Sequence, residues 1–304
     1  MRQHLMRRKF LAGLCVSGLL LCARGALGQT PTTEEKPAEQ ATEQQETELD
    51  LPRSSDPGKQ PFLRNFAYYE WRMLTSPFRR SNYDTPTVKK YIIPFALISA
   101  TLIATDKKTA NFLPNTDDQA VWSGRVSQLG ATYTLAGFSG GMYLFGKVVG
   151  NKHARETGWI SLEALAHTQL LMFGVKQATN RLRPVADDPP RGFWKGGDAF
   201  PSGHAASSFA VATVFAYEYR HHIAVPVTAY ALASVISVSR LSARRHWGSD
   251  IFVGGCTGFL IGRYIYKQRH DPNLPGSPTG RAVNSRLMPE IGFGLYGPTL
   301  SWKL

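Results

Sequence analysis

The sequence predicts an all-α fold: a six-helix bundle with a disordered N-terminal linker and an irregular or short β C-terminal tail. Three observations carry that prediction. Six apolar segments of helical length fall between residues 90 and 267, strand signals are scarce among them, and capping or breaking residues separate them.

Taken in order, residues 1–28 have the layout of an export signal. Basic Arg2, Arg7, Arg8 and Lys9 precede an apolar run from Phe10 to Cys22, and small residues lead to Gly28, where cleavage is expected. Arg7-Arg8-Lys9-Phe10-Leu11 resembles the twin-arginine export motif, with the general secretory route open beside it. Leu14 and Leu21, before Cys15 and Cys22, stand where a lipoprotein signal wants a small residue. Residues 29–60 are rich in Thr, Glu, Gln and Pro, cannot bury enough apolar surface to order themselves, and read as a disordered acidic linker. From Phe62 the composition changes, and Phe66, Tyr68, Tyr69 and Trp71 predict a peripheral helix that packs aromatic rings on the domain.

The main domain is expected over 61–270, with its core in six helices near 90–105, 131–149, 158–180, 203–220, 223–240 and 250–267. Pro184 is expected to stop the third, because the residue before a proline avoids the helical region. His221 and His222 mark the hinge between the fourth and fifth, and Pro226 sits where a first-turn proline is tolerated. The tail, 271–304, loosens into Pro, Gly and Asn; its end, from Ile291, carries Gly292, Gly294 and Gly297 among apolar residues and suits a strand or hairpin. Several segments are only about 15 to 18 residues long and include Ser, Thr, Gly or Arg263, where a span needs roughly 20 apolar residues, so crossing a bilayer and packing as a membrane-associated bundle both remain open.

The formal net charge is +13, and residues 61–304 alone carry that same excess because the basic leader and the acidic linker cancel. A basic body suits phosphate-bearing ligands or an anionic membrane surface, and it also suits a plain solvated basic face. Nucleic acid is not an expected partner, since no basic run is interleaved with aromatics. With the leader removed, Cys256 alone remains, which rules out a disulfide framework or a thiolate metal site and makes it a small core residue.

Three stretches carry chemical character. Lys176 and Arg183 are seven residues apart, two helical turns, and would project from one helix face as a two-cation clamp. Pro201-Ser202-Gly203-His204 reads as a helix start: Ser202 caps it, Gly203 leaves the backbone open to an anion, and His204 sits in the first turn. Ser239-Arg240 is followed by His246 and Asp250, four apart and adjacent if a helix starts there; the carboxylate would fix the tautomer of the imidazole. Arg244 and Arg245 fall to the rim. Each stretch alone is also an ordinary feature: a basic helix end, a capped turn, a structural His/Asp pair.

Together the three blocks resemble the signature of the type 2 phosphatidic acid phosphatase (PAP2) and vanadium haloperoxidase superfamily. That pattern is Lys, six residues, Arg-Pro; then Pro-Ser-Gly-His; then Ser-Arg, five residues, His, three residues, Asp. It is met at every fixed position, within about residues 90–267. The resemblance implies His246 as nucleophile, forming a phosphohistidine, Asp250 orienting it, and His204 as general acid. It also implies that Lys176, Arg183, Ser202, the backbone N–H of Gly203, and Arg240 hold the phosphoryl oxygens. It implies no metal and no cofactor, and no carboxylate cluster is spaced like a metal site. The expected function is an exported envelope or periplasmic phosphatase, membrane-associated or integral, acting on a phosphomonoester or diphosphate of a lipid. A soluble periplasmic acid phosphatase shares the blocks. A vanadate-dependent haloperoxidase is the alternative in which vanadate becomes a cofactor, and the mere 16 residues between Pro184 and Pro201 leave it little room for further site lining.

Overall fold

The computed structural model describes residues 62–79, 82–113, 116–184, 192–271, 273–274, 290–294 and 297–301. The expected signal segment, the linker and most of the tail lie outside these residues. Eight helices of eight residues or more are described: α1 Phe62–Thr75, α2 Thr85–Phe112, α3 Asp117–Ser127, α4 Thr132–Val149, α5 Lys152–Thr179, α6 Gly203–Glu218, α7 Ala224–Ser242 and α8 Gly248–Arg269. Strands β1 Glu290–Gly294 and β2 Gly297–Ser301 pair antiparallel with Glu290 opposite Ser301, so the tail is the short β element expected.

α2 and α4 to α8 are the six expected helices, and α1 is the expected peripheral one. Local chemistry sets their ends. Asn151 caps α5 by accepting the Ala154 N–H at 3.0 Å, and Ser202 caps α6. α4 stops at Gly150, whose φ of 75° lies in the left-handed region that favours glycine. α3 was not among the expected elements. It is short and polar, with Gly124 inside it, and its start is signalled only by Thr116, which accepts the Gln119 N–H, ahead of Asp117 and Asp118 in the first turn.

α6 is the axis of the bundle and is buried along nearly its whole length. It packs on α8, α7 and α5; α4 lies on α5, α3 on α7, and α2 on α8. The core gathers Ile160 and Ala164 of α5, Val214 of α6, and Ile261, Ile265 and Tyr266 of α8, with a second cluster of Phe209, Ala212 and Ala233. α8 approaches α6 closely because its contact face is glycine: a Cβ on Gly254 would fall 2.6 Å from the Ser202 carbonyl, and one on Gly258 would run into the Ala206 carbonyl. α1 docks through Phe66, stacked on His167 at 3.9 Å, and through Glu70, paired with His167 at 2.6 Å.

The outer helices expose apolar side chains. α2 and α7 are long and apolar enough to cross a membrane by length and composition, and none of the α2 apolar window is buried. Phe138, Leu144, Phe145 and Val148 of α4 add to this surface. Cys256 is buried, as a small core residue should be.

Candidate functional site

The site forms where α5 ends and α6 and α8 begin. α5 stops at Thr179, five residues short of Pro184, because Asn180 turns the chain into the left-handed region at φ 44°. Lys176 and Arg183 therefore do not share a helix face. The returning loop brings Arg183 to the site instead, held by N–H bonds from Trp194 to the Thr179 carbonyl, Lys195 and Gly197 to the Asn180 carbonyl, and Ala199 to the Arg181 carbonyl. Gly197 has to be glycine, since a Cβ there would overlap the Arg181 carbonyl. The loop leaves through a cis Phe200–Pro201 bond, and Ser202 ties it to α8 by donating its N–H to the Asp250 carbonyl at 2.9 Å.

Lys176 of α5 and Gly203 of α6 face one another: the Lys176 Nζ lies 4.0 Å from where a Gly203 Cβ would stand. The first N–H groups of α6 open beside that ammonium, as helix N-termini do. Arg183, His204 and Arg240 line one cleft of about 500 Å³, whose far wall is α3, the turn after it and the start of α4, including Gly124, Ser127, Gln128 and Tyr133. Arg245, expected at the rim, lines the cleft as well. Arg240 is anchored by donating from Nη1 to Ser127 Oγ at 3.0 Å, while its buried Nε has no hydrogen-bond partner among the described residues. Arg183 is gripped at Nε and Nη2 by both oxygens of Asp198, at 2.8 and 2.7 Å. That grip holds the Asp198 carboxyl below the usual range and leaves Nη1 for another acceptor.

His246 and Asp250 differ in detail from the helix-face expectation. Trp247 is the N-cap of α8, so His246 precedes the helix. Its Nδ1 is 2.7 Å from the Ala199 carbonyl and 3.7 Å from Asp250 Oδ2. A carbonyl only accepts, so Nδ1 carries the proton and Nε2 the lone pair. The backbone of the loop fixes the tautomer, in place of Asp250. The imidazole is 2% exposed, and burial together with Arg240 and Lys176 holds its pKa well below 6.5, so it is neutral at neutral pH. His204 is lowered to about 4 by burial first, then by Arg240, His246, Lys176 and Arg183.

Asp250 belongs to a buried network that motif spacing does not disclose. Its Oδ2 accepts the Trp247 N–H at 2.8 Å, and its Oδ1 accepts from Arg181 Nη1 at 2.6 Å. Arg181 also bonds Ser249 Oγ at 2.6 Å and, through Nη2, Asp106 of α2 at 2.7 Å. Asp106 in turn accepts the Ser249 N–H at 3.0 Å and pairs with its hydroxyl. Phe193 and Trp247 lie over the guanidinium at 4.8 and 5.5 Å. Burial pushes the Asp250 carboxyl up, to about 7, against the pull of Arg181 and the Trp247 N–H.

A helical bundle whose cleft is lined by His204, Arg183, Arg240 and Arg245, with His246 buried nearby, has the charge and the imidazoles that an anionic ligand would suit. Residues 157–273 match the PAP2 superfamily. A lipid A 1-phosphatase of Porphyromonas gingivalis is 40% identical over 70 residues, which cover 23% of this chain and 16% of that protein. Among solved structures, LpxE of Aquifex aeolicus is 22% identical with a TM-score of 0.43, covering 54% of this chain and 94% of that one. The transmembrane PAP2 type phosphatidylglycerolphosphate phosphatase of Bacillus subtilis is 16% identical with a TM-score of 0.42, covering 67% and 94%.

Proposed function

We propose that the protein is a phosphatase that hydrolyses a phosphomonoester or diphosphate carried by a lipid, through a phosphohistidine on His246. The observation that carries this reading is the tautomer of His246. With Nδ1 donating to the Ala199 carbonyl, Nε2 keeps its lone pair, and the imidazole is neutral beside Lys176, Arg183 and Arg240. Nε2 attacks phosphorus and the bond to the leaving oxygen breaks; His204 gives that oxygen its proton. A water then attacks the phosphohistidine, His204 takes the water proton, and phosphate leaves with Nε2 restored. Lys176, the free Nη1 of Arg183, Arg240, the Ser202 hydroxyl and the Gly203 N–H hold the three equatorial oxygens as charge spreads onto them. Asp250 acts at 3.7 Å as a counter-charge to the imidazolium and, through Arg181, as an anchor for the start of α8.

A lipid substrate is supported by the exposed apolar surfaces of α2, α4 and α7, which fit association with a membrane of the cell envelope, and by the P. gingivalis relative, whose name specifies a lipid phosphate. The domain that carries the activity spans 61–270. The test is phosphate release by the full chain in detergent from phosphatidate, an isoprenyl diphosphate, a lipid A phosphate and a soluble aryl phosphate. Turnover of a lipid in preference to the aryl ester is expected, with an alkali-stable radiolabel from 32P substrate on wild type and none on His246→Ala. Release from none of the four, or full activity in His246→Ala, would overturn the reading.

A further inference from the structure

The end of the bundle opposite the cleft holds a second cluster of titratable side chains that the proposed reaction does not use. His153 and Glu156 lie near the start of α5, Glu218 is the last residue of α6, and His270 caps the end of α8. The phosphate cradle occupies the other ends of the same three helices. The 16 residues of α6 separate the two by roughly 24 Å at 1.5 Å per residue.

We propose that Glu156, Glu218 and His270 form a binding site for one divalent transition-metal ion, with His153 beside Glu218 at its edge. Ligand atoms of Glu156, Glu218 and His270 all lie within 4.8 Å of one another, close enough to share an ion. His153 Nε2 is 2.7 Å from Glu218 Oε1, and His270 Nδ1 is 3.0 Å from Glu156 Oε1 and 3.4 Å from Glu218 Oε2. One imidazole and two carboxylates are a donor set that suits zinc, manganese or iron.

The state of Glu218 points the same way. The residue is 1% exposed, and among the described residues neither of its oxygens has a hydrogen bond of good geometry, although His153 and His270 stand 2.7 and 3.4 Å away. The same is true of Glu156 Oε2 and His153 Nε2. Four buried polar atoms of one cluster thus sit near one another without directed hydrogen bonds, where a desolvated carboxylate needs compensation. A cation held among Glu156, Glu218 and His270 would compensate the buried carboxylates. The side chains are held in place: Tyr266 stacks on His270 at 4.6 Å, Tyr219 meets His153 edge-on at 4.9 Å, and the Asp271 N–H holds Glu156 Oε1 at 2.7 Å. No spacing announced this group, because its members come from residues 153 to 270.

The competing account is a metal-free ion-pair knot. Burial works against a charge on His270, but Glu156 and Glu218 outweigh it and raise its pKa to about 9, so a protonated imidazole could fill the role. The two accounts separate in one experiment, run on the full chain in detergent after treatment with a chelator. Zn2+ and Mn2+ are titrated separately by calorimetry, with metal content and unfolding temperature measured alongside. The expected result is ~1 bound ion per chain and a raised unfolding temperature, since a site formed on folding stabilises the fold. Glu218→Gln and His270→Ala should weaken binding by at least ~10-fold, as loss of a ligand does. His246→Ala should leave it unchanged, which also keeps the result independent of whether the enzyme turns over any substrate. Uptake of neither metal by wild type, binding that survives Glu218→Gln, or binding lost in His246→Ala would overturn the proposal. If the ligand variants fail to fold, the wild-type titration and the His246→Ala control still decide it.

Discussion

The proton on His204 is the most exposed consequence of the site geometry. A general acid has to be protonated, yet burial and the surrounding Arg240, His246, Lys176 and Arg183 put the pKa of His204 at about 4 in the empty cleft. At pH 6, two units higher, only about one molecule in a hundred would carry the proton, each unit being tenfold. Substrate can bring it instead. A phosphomonoester has a second ionisation near pH 6, and a monoanion entering beside a neutral His204 carries the same proton count as a dianion beside an imidazolium. Once bound, the phosphoryl charge offsets Lys176, Arg183 and Arg240 and returns the proton to the ring. The alkaline limb of kcat/KM should therefore follow the second ionisation of the free substrate, whereas the limb of kcat, which reports the bound state, should lie at higher pH. The assay is initial-rate kinetics from pH 4.5 to 9 on two esters differing in that ionisation by about one unit, the second pKa being near 6 for an ordinary one. A limb fixed near 6.5 for both substrates would refute the argument, because it would mean that His204 titrates as an ordinary histidine in the free enzyme.

Other expectations test separate parts of the arrangement. His246→Ala should lower kcat by at least ~10⁴-fold, and His204→Ala by ~10²- to 10⁴-fold with the smaller loss for a good leaving group, both read by phosphate release. Arg181→Met leaves Asp106 and Asp250 buried without their partner and should cost about 3–5 kcal/mol of stability in chemical unfolding. In that variant the folded carboxyls would have pKa values raised above their unfolded ones, so its deficit should shrink as pH falls toward 5 and widen above neutrality. Gly258→Ala should lower the unfolding temperature by forcing α8 off α6, at a cost of at least about 1–3 kcal/mol from overpacking. Asp198→Asn loosens the grip on Arg183; because that pair is largely exposed, KM should rise by no more than ~10-fold, measured at saturating and limiting substrate.

How far the site could be read from sequence varies with the kind of interaction. Lys176, Ser202, Gly203, His204 and Arg240 were legible because each sits in a short block whose local geometry the structure keeps. Arg183 lines the cleft, but not by the helical periodicity that would put it on one face with Lys176: the chain leaves the helix at Asn180, and a backbone-bonded loop does the positioning. The acceptor for His246 Nδ1 is a main-chain carbonyl, and carbonyls carry no residue signal. Arg181, Asp106 and Ser249 meet across 68 to 75 residues of sequence, a pairing that periodicity does not report. The six core helices were visible because their apolar runs are long. α3 was not, since a short polar helix containing a glycine differs little in composition from a loop.

The packing of α8 on α6 is what converts these separate features into one site. Gly254 and Gly258 lie four residues apart on the α8 face that meets α6, and their lack of a side chain lets the two backbones touch at Ser202 and Ala206. At that distance the Ser202 N–H can reach the Asp250 carbonyl, so the residue that caps α6 is bonded to the residue that closes the first turn of α8. Asp250 then holds the Trp247 N–H on one oxygen and Arg181 on the other. The Arg181 carbonyl receives the Ala199 N–H, and the Ala199 carbonyl receives His246 Nδ1. The circuit runs from glycine stripe to cap, to carboxylate, to guanidinium, to loop, to imidazole, with a directed bond or close backbone contact at each step. His246 and His204 therefore owe their relative placement to the distance between two helices, and a methyl group at Gly254 would act on the proposed chemistry without touching either histidine.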